Sequence, residues 1–132
     1  MAIEKQNGQV DLSLYRPAEK FCGKSVVAKY MAEGGDPSVD SLFFVKLKGE
    51  INVFTIVHWD INSRGIGTFG KLYQVYAYRT DSSGRLMENE EIVGNGAMTG
   101  ITGYQEGAPV LFLYTTSAAV KNFLACGRKV CH

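Results

Sequence analysis

Three side chains in this sequence are of the types that hydrolytic chemistry uses: Cys22, His58 and Asp60. A thiol attacks as its thiolate, an imidazole takes up the proton, and a carboxylate fixes the tautomer and orientation of that imidazole. His58 and Asp60 stand two residues apart in INVFTIVHWDIN, whose apolar alternation reads as strand, so both project from the same face. The chain has 2 histidines and the other is His132 at its end, so acid–base work by an imidazole depends on His58.

Cys22 sits in RPAEKFCGKSVVAKYMAEGG. Pro17 suits a first helical position, Phe21, Cys22, Val26, Tyr30 and Met31 recur at helical spacing, and Gly34 and Gly35 make a stop, which together predict a helix over 17–33. A thiolate near the start of that helix would be stabilised by exposed N–H groups and the positive end of the macrodipole. The segment CGKSVVAKY resembles the nucleophile helix of papain-like cysteine peptidases, in which Cys-Gly opens a helix carrying Ala and Tyr further on. The resemblance is confined to this short segment and implies Cys22 as nucleophile and His58 as base, and Asp60 would orient the ring. The blander reading is a cysteine packed as a small hydrophobe on the helix's buried stripe.

The end of the chain, CGRKVCH, holds Cys126, Cys131 and His132. Zinc accepts such ligands, yet the motif lacks a separated second pair, so no metal is expected. In an oxidising compartment Cys126 would pair with Cys131, or Cys22 with one of them. The glycine-rich GNGAMTGITGYQEG leads into a strand, where a phosphate loop must lead into a helix, and it contains no Gly-Lys-Ser/Thr. It reads as a plain surface loop, with recognition as its candidate use, and no cofactor is expected.

Composition narrows the classes. Fourteen basic against thirteen acidic residues leave a net charge of +1 with no basic cluster, which argues against nucleic acid as partner. No apolar run is long enough for a membrane span. MAIEKQNGQ carries charges and amides where a secretory leader needs an apolar core, so a cytoplasmic chain, or one exported after leader removal, is expected. Apolar residues at 45% and charged ones at 20% suit one folded domain of 132 residues, with no internal repeat.

The elements that must position these groups follow from period and punctuation. QVDLSLY alternates as a half-buried strand, and SLFFVKLKGEINVFTIVHWDIN reads as a hairpin about a Gly-X turn at Lys48-Gly49-Glu50. SRGIGTFG is a mobile or tightly turned loop, KLYQVYAYRT and RLMENEEIV form a second hairpin about 81–84, and 94–107 is irregular. A short buried strand over 110–114 precedes a helix capped near Ser117, with Val120, Phe123 and Leu124 inward and Gly127 as its stop. The sum is a single two-layer α+β domain, mainly antiparallel sheet with two helices packed on one face.

The first functional expectation is a non-enzymatic protein-binding module, of inhibitor or immunity type, presenting the loops 65–70 and 94–107 beside a tyrosine-bearing sheet face. Its contact residues are Phe69, Tyr73, Tyr76, Tyr78, Tyr104, Gln105 and Glu106, because exposed tyrosine is favoured at protein contacts. The alternative is the small cysteine hydrolase using Cys22, His58 and Asp60. A third reading is a ligand carrier with an apolar pocket between helix and sheet.

Overall fold

The structure is a computed structural model that describes residues 2–6, 8–17, 22–31, 35–80 and 85–126. Strands β1 (Ala2–Gln6), β2 (Gln9–Pro17) and β3 (Cys22–Tyr30) form one antiparallel sheet in that order. A larger sheet contains β4 (Pro37–Leu47), β5 (Glu50–Ser63), β6 (Thr68–Thr80), β7 (Leu86–Glu88), β8 (Thr99–Gln105) and β9 (Ala108–Val110). Its order is β4-β5-β6-β8-β9, with β7 taking the remaining length of the β6 edge. Helix α1 (Glu90–Val93) and a single 3-10 turn (Gly96–Met98) fill the step from β7 to β8, and helix α2 (Ser117–Cys126) follows β9.

The antiparallel α+β class with two helices stands, but one helix is elsewhere than expected. The stretch predicted as a helix over 17–33 enters sheet as β3, which pairs with β2 from Val10↔Tyr30 to Pro17↔Cys22. Val26 and Tyr30 are four residues apart, a spacing that lies on one face in a helix and in a strand alike, so the period did not discriminate. Gly23 and the β-branched pair Val26-Val27 tip the balance, since both cost helix stability and valine suits a pleated surface. The second helix is α1, inside the stretch read as the return arm of a hairpin. The expected irregular stretch 94–107 also contains β8, and 111–114 lies beyond the end of β9.

Side chains alternate across the large sheet and bury both faces. Phe54 and Ile56 of β5 with Tyr73, Val75 and Ala77 of β6 pack beneath α1, the 3-10 turn and α2, joined by Phe43, Met98, Phe112 and Val120. Val57 and Trp59, with Tyr78, face the small sheet, where Val10, Leu12 and Tyr30 complete the cluster. Such two-sided burial explains why β5 carries large apolar groups at successive positions. Two polar ties fasten the small sheet: Trp59 Nε1–H donates to the Met31 carbonyl at 2.6 Å, and the Tyr30 hydroxyl lies 2.7 Å from both Thr55 Oγ1 and the Tyr78 hydroxyl. Burial above all raises the Tyr30 and Tyr78 phenols above their ordinary value, Tyr78 the more strongly.

Candidate functional site

Of the two loops expected to carry recognition, 65–70 and the end of 94–107 meet at one end of the large sheet, while 94–98 lies next to α1. The 3-10 turn Arg64–Ile66 joins β5 to β6, and Glu106-Gly107 joins β8 to β9. Gly107 N–H donates to the Gly67 carbonyl at 3.0 Å and Glu106 N–H to Thr68 Oγ1 at 3.0 Å, so the two turns are docked. Behind them β6 and β8 approach closely at the register pair Gly70↔Gly103. Their φ values are 127° and 142°, and a Cβ at Gly70 would overlap the Thr102 carbonyl oxygen, one at Gly103 that of Phe69. Only glycine satisfies both conditions.

This approach sets the next pair, Phe69↔Tyr104, ring on ring at 4.9 Å between centroids. The Arg64 guanidinium lies 4.4 Å from the Phe69 centroid, a cation–π contact. Ile66 is 69% exposed at the tip and Tyr104 is 43% exposed, while Gln105 and Glu106 face solvent. Of the seven expected contact residues, Phe69, Tyr104, Gln105 and Glu106 therefore come together. Tyr73, Tyr76 and Tyr78 do not join them: Tyr73 and Tyr78 are buried on opposite faces of the sheet and Tyr76 packs against the core under the small sheet. The expected tyrosine-bearing outer face is interior. Arg64 and Ile66 were missed by the sequence reading, although their place between glycines in SRGIGTFG was the available signal.

The hydrolytic set is not assembled as expected. His58 Nδ1–H donates to Asp40, 2.7 Å from Oδ2 and 2.8 Å from Oδ1, and its ring lies 5.7 Å from that of Tyr73. The orienting carboxylate is thus Asp40, with Asp60 exposed on the same strand. Asp40 reaches the imidazole because the β4–β5 register shifts between Val39 and Ser41, a bulge that re-aims one side chain. Nδ1 being the donor leaves Nε2 as the proton acceptor of the neutral ring.

Cys22 opens a strand, so the stabilisation argued from a helix N-terminus does not apply; its side chain lies outside the described residues, as do the side chain of Cys126 and all of Cys131 and His132. Strand β3 packs on the Val57 and Trp59 face, whereas His58 alternates with those residues and points to the helical side. The part of β3 shown against the large sheet, Val27, Ala28 and Tyr30, thus lies on the face opposite His58. Among the described residues no group of three metal-ligating side chains converges, and no helix is long and apolar enough to cross a membrane. No family model, no curated protein and no solved structure matches this chain.

Proposed function

We propose that the chain is a protein-binding module whose contact surface is the docked pair of turns, with Ile66 and Tyr104 as apolar anchors and Arg64, Gln105 and Glu106 as a polar rim. One observation carries the reading: hydrogen bonds between the Glu106-Gly107 turn and Gly67 and Thr68 hold exposed aromatic and aliphatic groups on a rigid platform. An anchor fixed before binding loses little conformational entropy on association, and aromatic and arginine side chains dominate contact energies. An inhibitor or immunity-type role would use this same surface on a partner enzyme.

The test compares proteins captured from the native host by the unaltered chain and by two variants. Ile66→Ser with Tyr104→Ala should lose a specific partner while keeping the thermal midpoint, and Met87→Ser at the far end of the sheet should retain it. Retention by the first variant, or loss by both, counts against this surface. The hydrolase alternative has the His58–Asp40 pair in its favour, and against it the strand conformation at Cys22, which gives the thiol no helix N-terminus. Alkylation of the thiols at pH 6–7 distinguishes the two, since an ordinary Cys22 thiol, almost wholly protonated there, reacts slowly. Rapid modification of Cys22, lost in His58→Gln, would revive the catalytic reading.

A further inference from the structure

At the other end of the large sheet, where β4 turns into β5, a cavity of 740 Å³ opens between that turn, α1 and α2. This falls within the roughly 300–1,000 Å³ typical of small-ligand sites. Its floor is apolar: Leu47, Ile92, Phe123 and Leu124 pack on the core below and leave their outer surfaces to the cavity.

In its wall is Asn52, 2% exposed on a strand face otherwise occupied by Phe54 and Ile56. Its Oδ1 accepts from Asn89 Nδ2 at 2.9 Å, which fixes the entry to α1. Among the described residues its Nδ2 has only a 3.4 Å contact to the Glu50 carbonyl, longer than an ordinary N–H···O bond. A buried amide has two hydrogens to place, so donor capacity remains at the cavity wall. The lining also carries Glu50, Glu88, Glu90 and Glu91 against Lys48 and Arg79. Lys48 Nζ is taken up by Glu91 at 3.6 Å. The balance at the mouth is acidic.

From the volume, the aromatic and aliphatic floor, the under-used Asn52 amide and the acidic mouth, we propose that this cavity binds a small aryl-alkyl amine. Its ring rests on Phe123 and Leu124, its ammonium faces Glu50 and Glu90, and a hydroxyl or carbonyl oxygen accepts from Asn52 Nδ2. This site is independent of the protein-binding surface, and either proposal can fail alone.

Calorimetric titration of the full chain with tyramine tests it, alongside 3-(4-hydroxyphenyl)propionate, which has the same ring and hydroxyl but the opposite charge, and phenethylamine, which lacks the hydroxyl. Tyramine should bind, the acid should not, and phenethylamine should bind a few-fold more weakly, with amide NMR shifts centred on residues 47–52 and 87–95. Glu50→Gln combined with Glu90→Gln, both at exposed positions that leave the fold intact, should weaken tyramine roughly tenfold, as two partly screened ion pairs would. Equal binding of the acid and the amine, no binding of tyramine, unchanged affinity in the double variant, or shifts centred on the Arg64 and Tyr104 end would each overturn the proposal.

Discussion

The two ends of the large sheet are closed by turns of the same chemistry and put to opposite uses. Lys48-Gly49 has φ of 51° and 83°, and Glu106-Gly107 has 53° and 83°; each joins an antiparallel pair through two residues, Leu47↔Glu50 and Gln105↔Ala108. Positive φ at both central residues is the type I′ pattern, whose twist matches that of the flanking strands. Among the described residues the first turn makes no backbone hydrogen bond to another element, and its tie to α1 is the solvent-exposed Lys48–Glu91 contact. The second is fastened to its neighbour through Gly107 and Glu106. Turn chemistry therefore sets the local backbone, and non-local contacts decide whether an end becomes a rigid platform or the open rim of a cavity.

The largest expected effect lies at the platform. Gly103→Ala must take up φ of 142° and drive a methyl into the Phe69 carbonyl, which costs about 3 kcal/mol or more. Gly96→Ala, at the other end, meets open space at an ordinary φ and should change stability by no more than about 0.5 kcal/mol. Urea midpoints of the two variants measure the contrast, and similar losses would break it. Gly70→Ala should behave as Gly103→Ala does, because the two glycines face one another in register.

Between the ends lies the buried hydroxyl cluster of Tyr30, Thr55 and Tyr78, which ties the small sheet to the large one. Tyr78→Phe removes one hydrogen bond and should cost about 1–2 kcal/mol. The pH dependence follows from the raised phenols. A group protonated more tightly in the folded state stabilises fully below its unfolded value, near 10.0 for tyrosine, and progressively less above it. Stability should thus be flat in this respect up to about pH 10 and fall beyond it, with about 1.4 kcal/mol per pH unit as the limiting slope for one phenol held protonated in the folded state. Tyrosinate absorbance followed with far-ultraviolet circular dichroism checks this. Two phenols ionising while the fold persists would contradict the burial, and loss of one end of the sheet before the other would show that the cluster does not couple them.

How much of this was legible depends on whether the signal was local. The strand at 9–15, the hairpin through 47–50 and the helix from Ser117 are written in alternation, turn residues and a capping position, and each appears. Lys48-Gly49-Glu50 suggests a turn led by glycine, whereas the register places Lys48 and Gly49 at its centre. Strand β3 was illegible because a four-residue repeat serves two periods, and its pairing with β2 is a tertiary choice. The site divides in the same way. Glycine spacing announces the turn after β5, whereas the Glu106-Gly107 turn is hidden in a stretch that reads as irregular throughout; their docking joins residues 40 positions apart, and no local pattern states that Asp40, lifted by a bulge, will reach His58. Likewise the tyrosines of β6 look like an outer face until the small sheet covers one side and Phe112 the other.

At the cavity end, Asn52→Ala should cost about 1–2 kcal/mol, because it strips Asn89 of its acceptor at the entry to α1. Faster amide exchange at 90–93 with unchanged protection at 99–105 would show that the loosening stays at this end.

The smallest effect separates the two turns most cleanly. Lysine and glutamate both pay for a left-handed backbone that asparagine accepts more readily, so Lys48→Asn and Glu106→Asn should each gain about 0.5 kcal/mol from the turn itself. Lys48→Asn also gives up the Glu91 contact, but side chains 80% and 76% exposed in water contribute a few tenths of a kcal/mol at most, and that share vanishes in high salt. Its gain should therefore grow between 0.05 M and 1 M salt. Glu106→Asn keeps the backbone N–H that holds Thr68, so its gain should be the same at both salt concentrations. Matching salt responses would mean that the surroundings of the two turns differ less in energy than in geometry.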